Sequence, residues 1–234
     1  MSAGARAVSL LGLWAILVAC GDDAGSGDGG TPDGGGDALA ADAASPDSGV
    51  PGALLGSFQL TYYWVTQESE FTGADDTNIY DQSCNLIDIV PSAFFASARL
   101  EGTGRLTDGR IINYTGSCSC MTSPCFVVVD DQHPWGIGAG NRALVPFRSI
   151  AVDRTVITLG SKIYVAEFDG VRMPGVAPYG DFVHDGCVSA DDVGGGIQGT
   201  QIDFFAALKD YYRVLDGQLK LSRVTVYQGG TRCR

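Results

Sequence analysis

The chain has little histidine and little positive charge. Its two histidines, His133 and His184, are too few for a histidine-built metal centre unless carboxylates complete it. The HExxH pattern of zinc peptidases is missing. So are the phosphate-cradling Walker loop, the dinucleotide-binding fingerprint and the G-x-S-x-G of serine hydrolases. Lys and Arg total 15 against 27 acidic residues, a net charge of −12. An acidic protein is a poor partner for nucleic acid, because phosphate binding needs a basic surface. No cofactor is implied. The one long apolar run, Ala7 to Ala19, is shorter than the roughly 20 residues a membrane-spanning helix needs.

That run has the character of a signal-peptide core behind Arg6. It leads into Leu17-Val18-Ala19-Cys20, which resembles a bacterial lipobox. Residues 1–19 are therefore expected to be a signal peptide and Cys20 to carry lipid. Gly21 in the next position resembles the sorting of lipoproteins to an outer membrane, facing the periplasm. Residues 20–56 read as the lipidated cysteine and a linker. It is rich in Gly, Ala and Asp and has no Lys or Arg. Such a segment cannot offset its chain entropy by burying apolar surface, so disorder is expected, extended by like charges.

Removing residues 1–56 leaves 14 basic against 20 acidic residues, so part of the acidity belongs to the linker. Residues 57–234 are long enough for one domain with its own core, expected to be monomeric. The cysteines beyond Cys20 are Cys84, Cys118, Cys120, Cys125, Cys187 and Cys233. An even number in an exported chain reads as three disulfides. The expected pattern joins Cys84 into the Cys118–Cys125 cluster and Cys187 to Cys233. A metal site at Cys118-Ser119-Cys120 and Cys125 is the alternative, although its spacing is not that of a zinc knuckle.

The domain reads as all-β. Strands are expected at Phe58–Thr66, Ile111–Thr115, Phe126–Val129, Ser149–Val152, Ile163–Phe168 and Lys220–Tyr227, where β-branched and aromatic residues concentrate between Gly and Asp clusters. Short helices are expected at Pro91–Arg99 and at Phe205–Tyr212, the second from the spacing of Phe205, Leu208, Tyr211 and Tyr212.

The most unusual stretch is Asp192-Val193-Gly194-Gly195-Gly196-Ile197-Gln198-Gly199-Thr200-Gln201-Ile202-Asp203. Two carboxylates bracket a run of glycines whose entropy cost exceeds what a simple turn requires. Either a ligand or another chain comes close to the backbone, or the loop crosses inside the fold. Taken without any motif, Asp153 reads as a turn former after a strand and Asp203 as a helix N-cap. The segment His184-Asp185-Gly186-Cys187 reads as a surface loop. Aromatic residues on strands mostly serve the core. Trp135 and Tyr179 sit among Gly and Pro and are the better candidates for stacking on sugar faces.

The glycine stretch resembles the 3D domain of the membrane-bound lytic transglycosylase A family, whose pattern reads A-x-D-T/V-G-G-A-I-K-G-x-x-I-D. Upstream, Arg148-Ser149-Ile150-Ala151-Val152-Asp153, with Ile157 and Gly160, resembles the same family's R-S-I-A-V-D-x-x-x-I-P-x-G-S/T block. The match is best over residues 148–205. Two positions depart from it: Gly196 stands for Ala and Gln198 for Lys. The resemblance implies a six-stranded double-psi β-barrel carrying one or two short helices and a disulfide-stapled elaboration. It also implies cleavage of the β-1,4 bond between N-acetylmuramic acid and N-acetylglucosamine in peptidoglycan, giving 1,6-anhydro ends. By motif position Asp192 is the catalytic acid and Asp153 and Asp203 the other aspartates. Gly194, Gly195, Gly196 and Gln198 would lie along the glycan. The alternative function is that of a non-catalytic, expansin-like or barwin-like polysaccharide binder, since fold alone does not set function.

Overall fold

The computed structural model describes residues 49–234. The expected signal peptide, Cys20 and the expected linker up to residue 48 lie outside them. The elements in chain order are β1 (Leu54–Tyr63), β2 (Thr66–Gln67), β3 (Asp75–Tyr80), β4 (Leu86–Pro91), α1 (Ser92–Glu101), β5 (Thr103–Arg105), β6 (Ile111–Gly116), β7 (Cys125–Val128), β8 (Ser149–Val152), β9 (Lys162–Val165), β10 (Cys187–Asp192), β11 (Gln201–Phe205), α2 (Lys209–Leu219) and β12 (Arg223–Gln228). Among the described residues no helix is long and apolar enough to cross a membrane.

Six strands pair in a closed ring in the order β1, β11, β8, β10, β9, β12, with β12 returning to β1. The β1–β11 and β8–β10 pairs are parallel, the others antiparallel. Residues alternate between the two faces of a strand. Leu60 stands beside Ile202, and Ile202 beside Val152, in an apolar row. These residues join Phe58, Ile150, Ile163, Val188, Phe204 and Val226 in the main buried cluster. The neighbouring row reads Thr61, Asp203, Ala151, Asp192 across β1, β11, β8 and β10. It faces the other way, and it carries the site.

Between β1 and β8 the chain leaves the ring and builds an insertion. It comprises a four-stranded sheet in the order β2, β5, β6, β7, a β3–β4 hairpin and α1. These pack around a separate core that includes Ile79, Val90, Phe94, Leu106, Ile112 and Phe126. α1 ends because Gly102 adopts a left-handed conformation (φ 81°) and returns its N–H to the Ala98 carbonyl. Cys84–Cys120 and Cys118–Cys125 staple the insertion, while Cys187–Cys233 joins β10 to the segment after β12. The three cluster sulfurs do lie within 4.8 Å of one another. Each is bonded to a partner sulfur, which replaces the metal alternative.

Several boundaries differ from expectation. The ordered domain begins before residue 57: Leu54–Gly56 belong to β1, and the N–H groups of Val50 and Gly52 donate to Thr231 and Gln228. The expected strand Phe58–Thr66 breaks after Tyr63, where the Val65 N–H turns to the Ala207 carbonyl. Ile163–Phe168 ends as a strand at Val165 and finishes in a 3₁₀ turn. The helix placed at Phe205–Tyr212 begins at Lys209, because Phe205 is held in β11 beside Tyr63. Lys220 caps that helix in a left-handed conformation (φ 53°), so β12 starts at Arg223.

Candidate active site

Asp192 closes β10 beyond a register shift, and Asp203 lies in the middle of β11 rather than at a helix cap. Both line a cavity of about 950 Å³ together with Tyr63, Ala151 and Gly194–Gly196. The facing wall comes from the insertion and includes Phe95, Arg99, Glu101, Asn113 and Tyr114. A strap, Ile137–Ala139, bridges the two. Asn113 holds one end by accepting the Ile137 N–H (2.9 Å) and donating to the Ile137 carbonyl (2.8 Å). At the other end the Ala139 N–H donates to Asp192 Oδ1 (3.1 Å). Gly138 passes so close to β10 that a Cβ there would lie 2.4 Å from the Asp191 carbonyl oxygen. Asn113 is thereby fixed inside the protein.

The two carboxyls differ in their surroundings. Asp192 Oδ1 accepts N–H bonds from Val193 (2.8 Å) and Ala139. Asp203 Oδ1 is buried with no partner among the described residues. Burial lifts both to about 6. For Asp192 the N–H bonds pull the other way, and the charge of Asp191 adds to the rise. For Asp203 the Thr61 hydroxyl opposes the rise, and the charge of Asp192 adds to it. Asp191 itself turns from the cavity to accept a bond from Ser149 Oγ (2.7 Å). Tyr63 is buried between these groups, and its hydroxyl lies beside Asp192, where it helps to hold that carboxyl down.

The glycines have separate reasons. Gly199 needs its left-handed conformation (φ 60°). A side chain at Gly194 would strike Ile197. Gly195 and Gly196 have nothing within 4 Å of a notional Cβ and no positive φ. Crossing inside the fold therefore does not explain them.

Asp153 does not line the cavity. Its Oδ1 accepts from the Thr155 N–H and hydroxyl and its Oδ2 from the Gly199 N–H (2.8 Å). These bonds hold its carboxyl below the usual range, so it fastens the far end of the glycine loop as an anion. Gln198 and Tyr179 are exposed and Trp135 is half-buried, and none of the three lines the cavity. The latter two pack edge to face at 5.6 Å, with the Arg105 guanidinium 5.3 Å from the Trp135 ring. They do not form a platform beside the aspartates. His184 is not on a surface loop. It is buried, with Nε2 donating to the Phe147 carbonyl (2.7 Å) and Nδ1 accepting the Gly186 N–H (2.9 Å). Burial first, then Arg148, push its pKa down to about 4, so it stays neutral. Glu101 is the site residue that the sequence reading missed. The one signal for it is an acid in the last position of a helix, where the helix dipole disfavours negative charge.

A ring of six strands with an aspartate pair on its outer row defines the class. Residues 148–227, which hold every ring strand except β1, match the 3D domain family model. The chain is a 3D-domain protein of MltA-like fold. It is similar to the Escherichia coli MltA structure with bound chitohexaose, with a TM-score of 0.50 and 14% identity over 74% of this chain and 71% of that one. A membrane-bound lytic murein transglycosylase from Agrobacterium tumefaciens gives 0.49 and 13% identity over 74% and 73%. No curated protein sequence matches the chain.

Proposed function

We propose that this protein is a peptidoglycan lytic transglycosylase whose ring is a double-psi β-barrel. The observation that carries the reading is the row Asp203, Ala151, Asp192 facing one large cavity. Such a cavity accommodates several sugar units between the ring and the insertion. The fold's likeness to MltA, named as binding chitohexaose, supports a glycan as the occupant.

The reaction needs one carboxyl group that serves twice. In neutral form it protonates the glycosidic oxygen as the C1–O bond breaks. The sugar's own C6 hydroxyl attacks C1 and passes its proton to the carboxylate, which closes the 1,6-anhydro ring and restores the acid. Motif position gives this role to Asp192, but the hydrogen bonding favours Asp203. Asp192 is stabilised as an anion by two backbone donors, whereas Asp203 Oδ1 has none. Asp203 is then the proton carrier, raised first by burial and further by the charge of Asp192. Gly195 and Gly196 let the sugar chain lie against the backbone. Asp153 acts only by holding the loop.

The proposed setting is the cell envelope. A signal peptide at 1–19 and lipid on Cys20 would anchor the chain to the outer membrane, and the acidic segment would serve as a tether to the polymer. The test is to incubate the full-length protein with purified sacculi and analyse soluble products by mass spectrometry. Anhydro-muropeptides that vanish with Asp203→Asn support the reading. Binding to sacculi with no product, unchanged by that substitution, replaces it with a wall-binding module.

A further inference from the structure

Resting on the glycan-cleft reading above, we infer that Glu101, on the wall opposite the motif strands, is a third substrate-contacting carboxyl that hydrogen-bonds the bound glycan. Glu101 ends α1 and lines the same cavity as Asp192 and Asp203. Its Oε2 accepts the Trp64 N–H (3.2 Å), which ties the insertion wall to the end of β1. No donor among the described residues reaches Oε1. A second observation at the same place points to a ligand. The opposite wall presents the carboxyls of Asp192 and Asp203 to the same cavity, and Asp203 Oδ1 has no hydrogen-bond partner among the described residues. Buried polar groups are normally paired. Carboxyl groups on both sides of a cleft call for polar groups on the occupant, which a hydroxyl- and amide-rich sugar supplies.

Burial pushes Glu101 up to about 7, and the charge of Asp203 on β11 adds to the rise. The Trp64 N–H and Lys209 at the start of α2 oppose it. Arg99 lies on the same helix and Asp192 across the cavity. Its place at the negative end of α1 acts in the same direction as burial. A neutral carboxyl held by Trp64 through one oxygen has one O–H left to donate. That donor is lost when Glu101 ionises, so glycan binding should weaken with rising pH. The turnover limit set by Asp203 should fall at lower pH.

The test is calorimetric titration of chitohexaose into full-length wild type, Glu101→Gln and Glu101→Ala at about pH 5.5 and about pH 8. The glutamine keeps a donor at both pH values and still accepts the Trp64 N–H. Asp192 and Asp203 titrate in every variant, so the readout is the difference: wild-type affinity should fall roughly three- to tenfold more between the two than that of Glu101→Gln, and Glu101→Ala should be weak at both. A wild-type fall no steeper than that of Glu101→Gln, or a glutamine variant as weak as the alanine one, overturns the proposal. PH-dependent binding by a wild type that releases no anhydro product upholds Glu101 and overturns only the reaction. No binding at either pH overturns both the cleft and the role of Glu101.

Discussion

Asp192 and Asp203 stand opposite the same residue, Ala151, one from each side of β8. Their backbones are therefore two strand spacings apart, roughly 10 Å. That is too far for a routine hydrogen bond between the carboxyls and near enough for one charge to bear on the other. In the proposed reaction this separation lets one group move the proton while the other tunes it.

Asp203→Asn should lower release of anhydro-muropeptides by roughly 10²- to 10⁴-fold, the usual worth of a general acid. Asp192→Asn should cost less. It should also move the alkaline limb of activity to lower pH, since it removes the like charge that raises Asp203. Initial rates across pH for both variants check this. The opposite ranking would return the proton to Asp192.

Stability should carry the same signature. Asp192, Asp203 and Glu101 are raised above their unfolded values, so the folded state binds more protons. Their contribution is fully present below about pH 4 and is lost as pH rises through about 6 to 7. His184 works in the opposite sense, because its folded pKa is depressed to about 4. Comparing Asp203→Asn with wild type isolates the aspartate. The variant should gain on the order of 1–2 kcal/mol relative to wild type between pH 5 and pH 8. Urea unfolding at the two pH values measures it.

Gly138→Ala and Gly195→Ala should behave differently. The first places a methyl group 2.4 Å from the Asp191 carbonyl oxygen, so the strap must move and its Ala139 N–H must leave Asp192. A lower melting temperature and loss of activity are expected. The second meets open space and should leave the melting temperature unchanged. If Gly195 is there for the glycan, its alanine variant should raise KM. Thermal melts and steady-state kinetics separate the two.

Cys187–Cys233 closes a separation of 46 residues. Replacing both cysteines by serine should cost about 2–4 kcal/mol. Cys233 packs beneath β9, with its sulfur 3.5 Å from the Ile163 carbonyl. The loss should appear as fraying of β9 and β12, read by hydrogen exchange at Ile163 and Val226.

One motif strand, β8, was legible from its short apolar run, and the cysteine pairing was legible from the even count and the clustering of Cys118, Cys120 and Cys125. β8 was placed at its observed residues, Ser149–Val152. Cys84 pairs into the cluster and Cys187 pairs with Cys233, as expected. β10 and β11 were hidden by their own function. Asp192 and Asp203 put charge where a strand pattern wants apolar or neutral residues, so the segment read as a loop. β3, Asp75–Tyr80, is polar along most of its length and shows no period. The helix at Phe205 was a spacing coincidence, since Phe205 is committed to pairing with β1. Glu101 could not be found from a motif because it belongs to the insertion, where only tertiary packing brings it to the aspartates.

The ring closes through β12 and β1 without using a single residue between Val65 and Arg148. The strands that carry the aspartates close a ring of their own, and the wall facing them has a separate core and two disulfides, while Ile111 of that wall shares a further buried cluster with Tyr63, Ala151 and Phe205 of the ring. On the proposed reading, substitutions in the wall would reshape what the cleft accepts while the aspartate row stays in register.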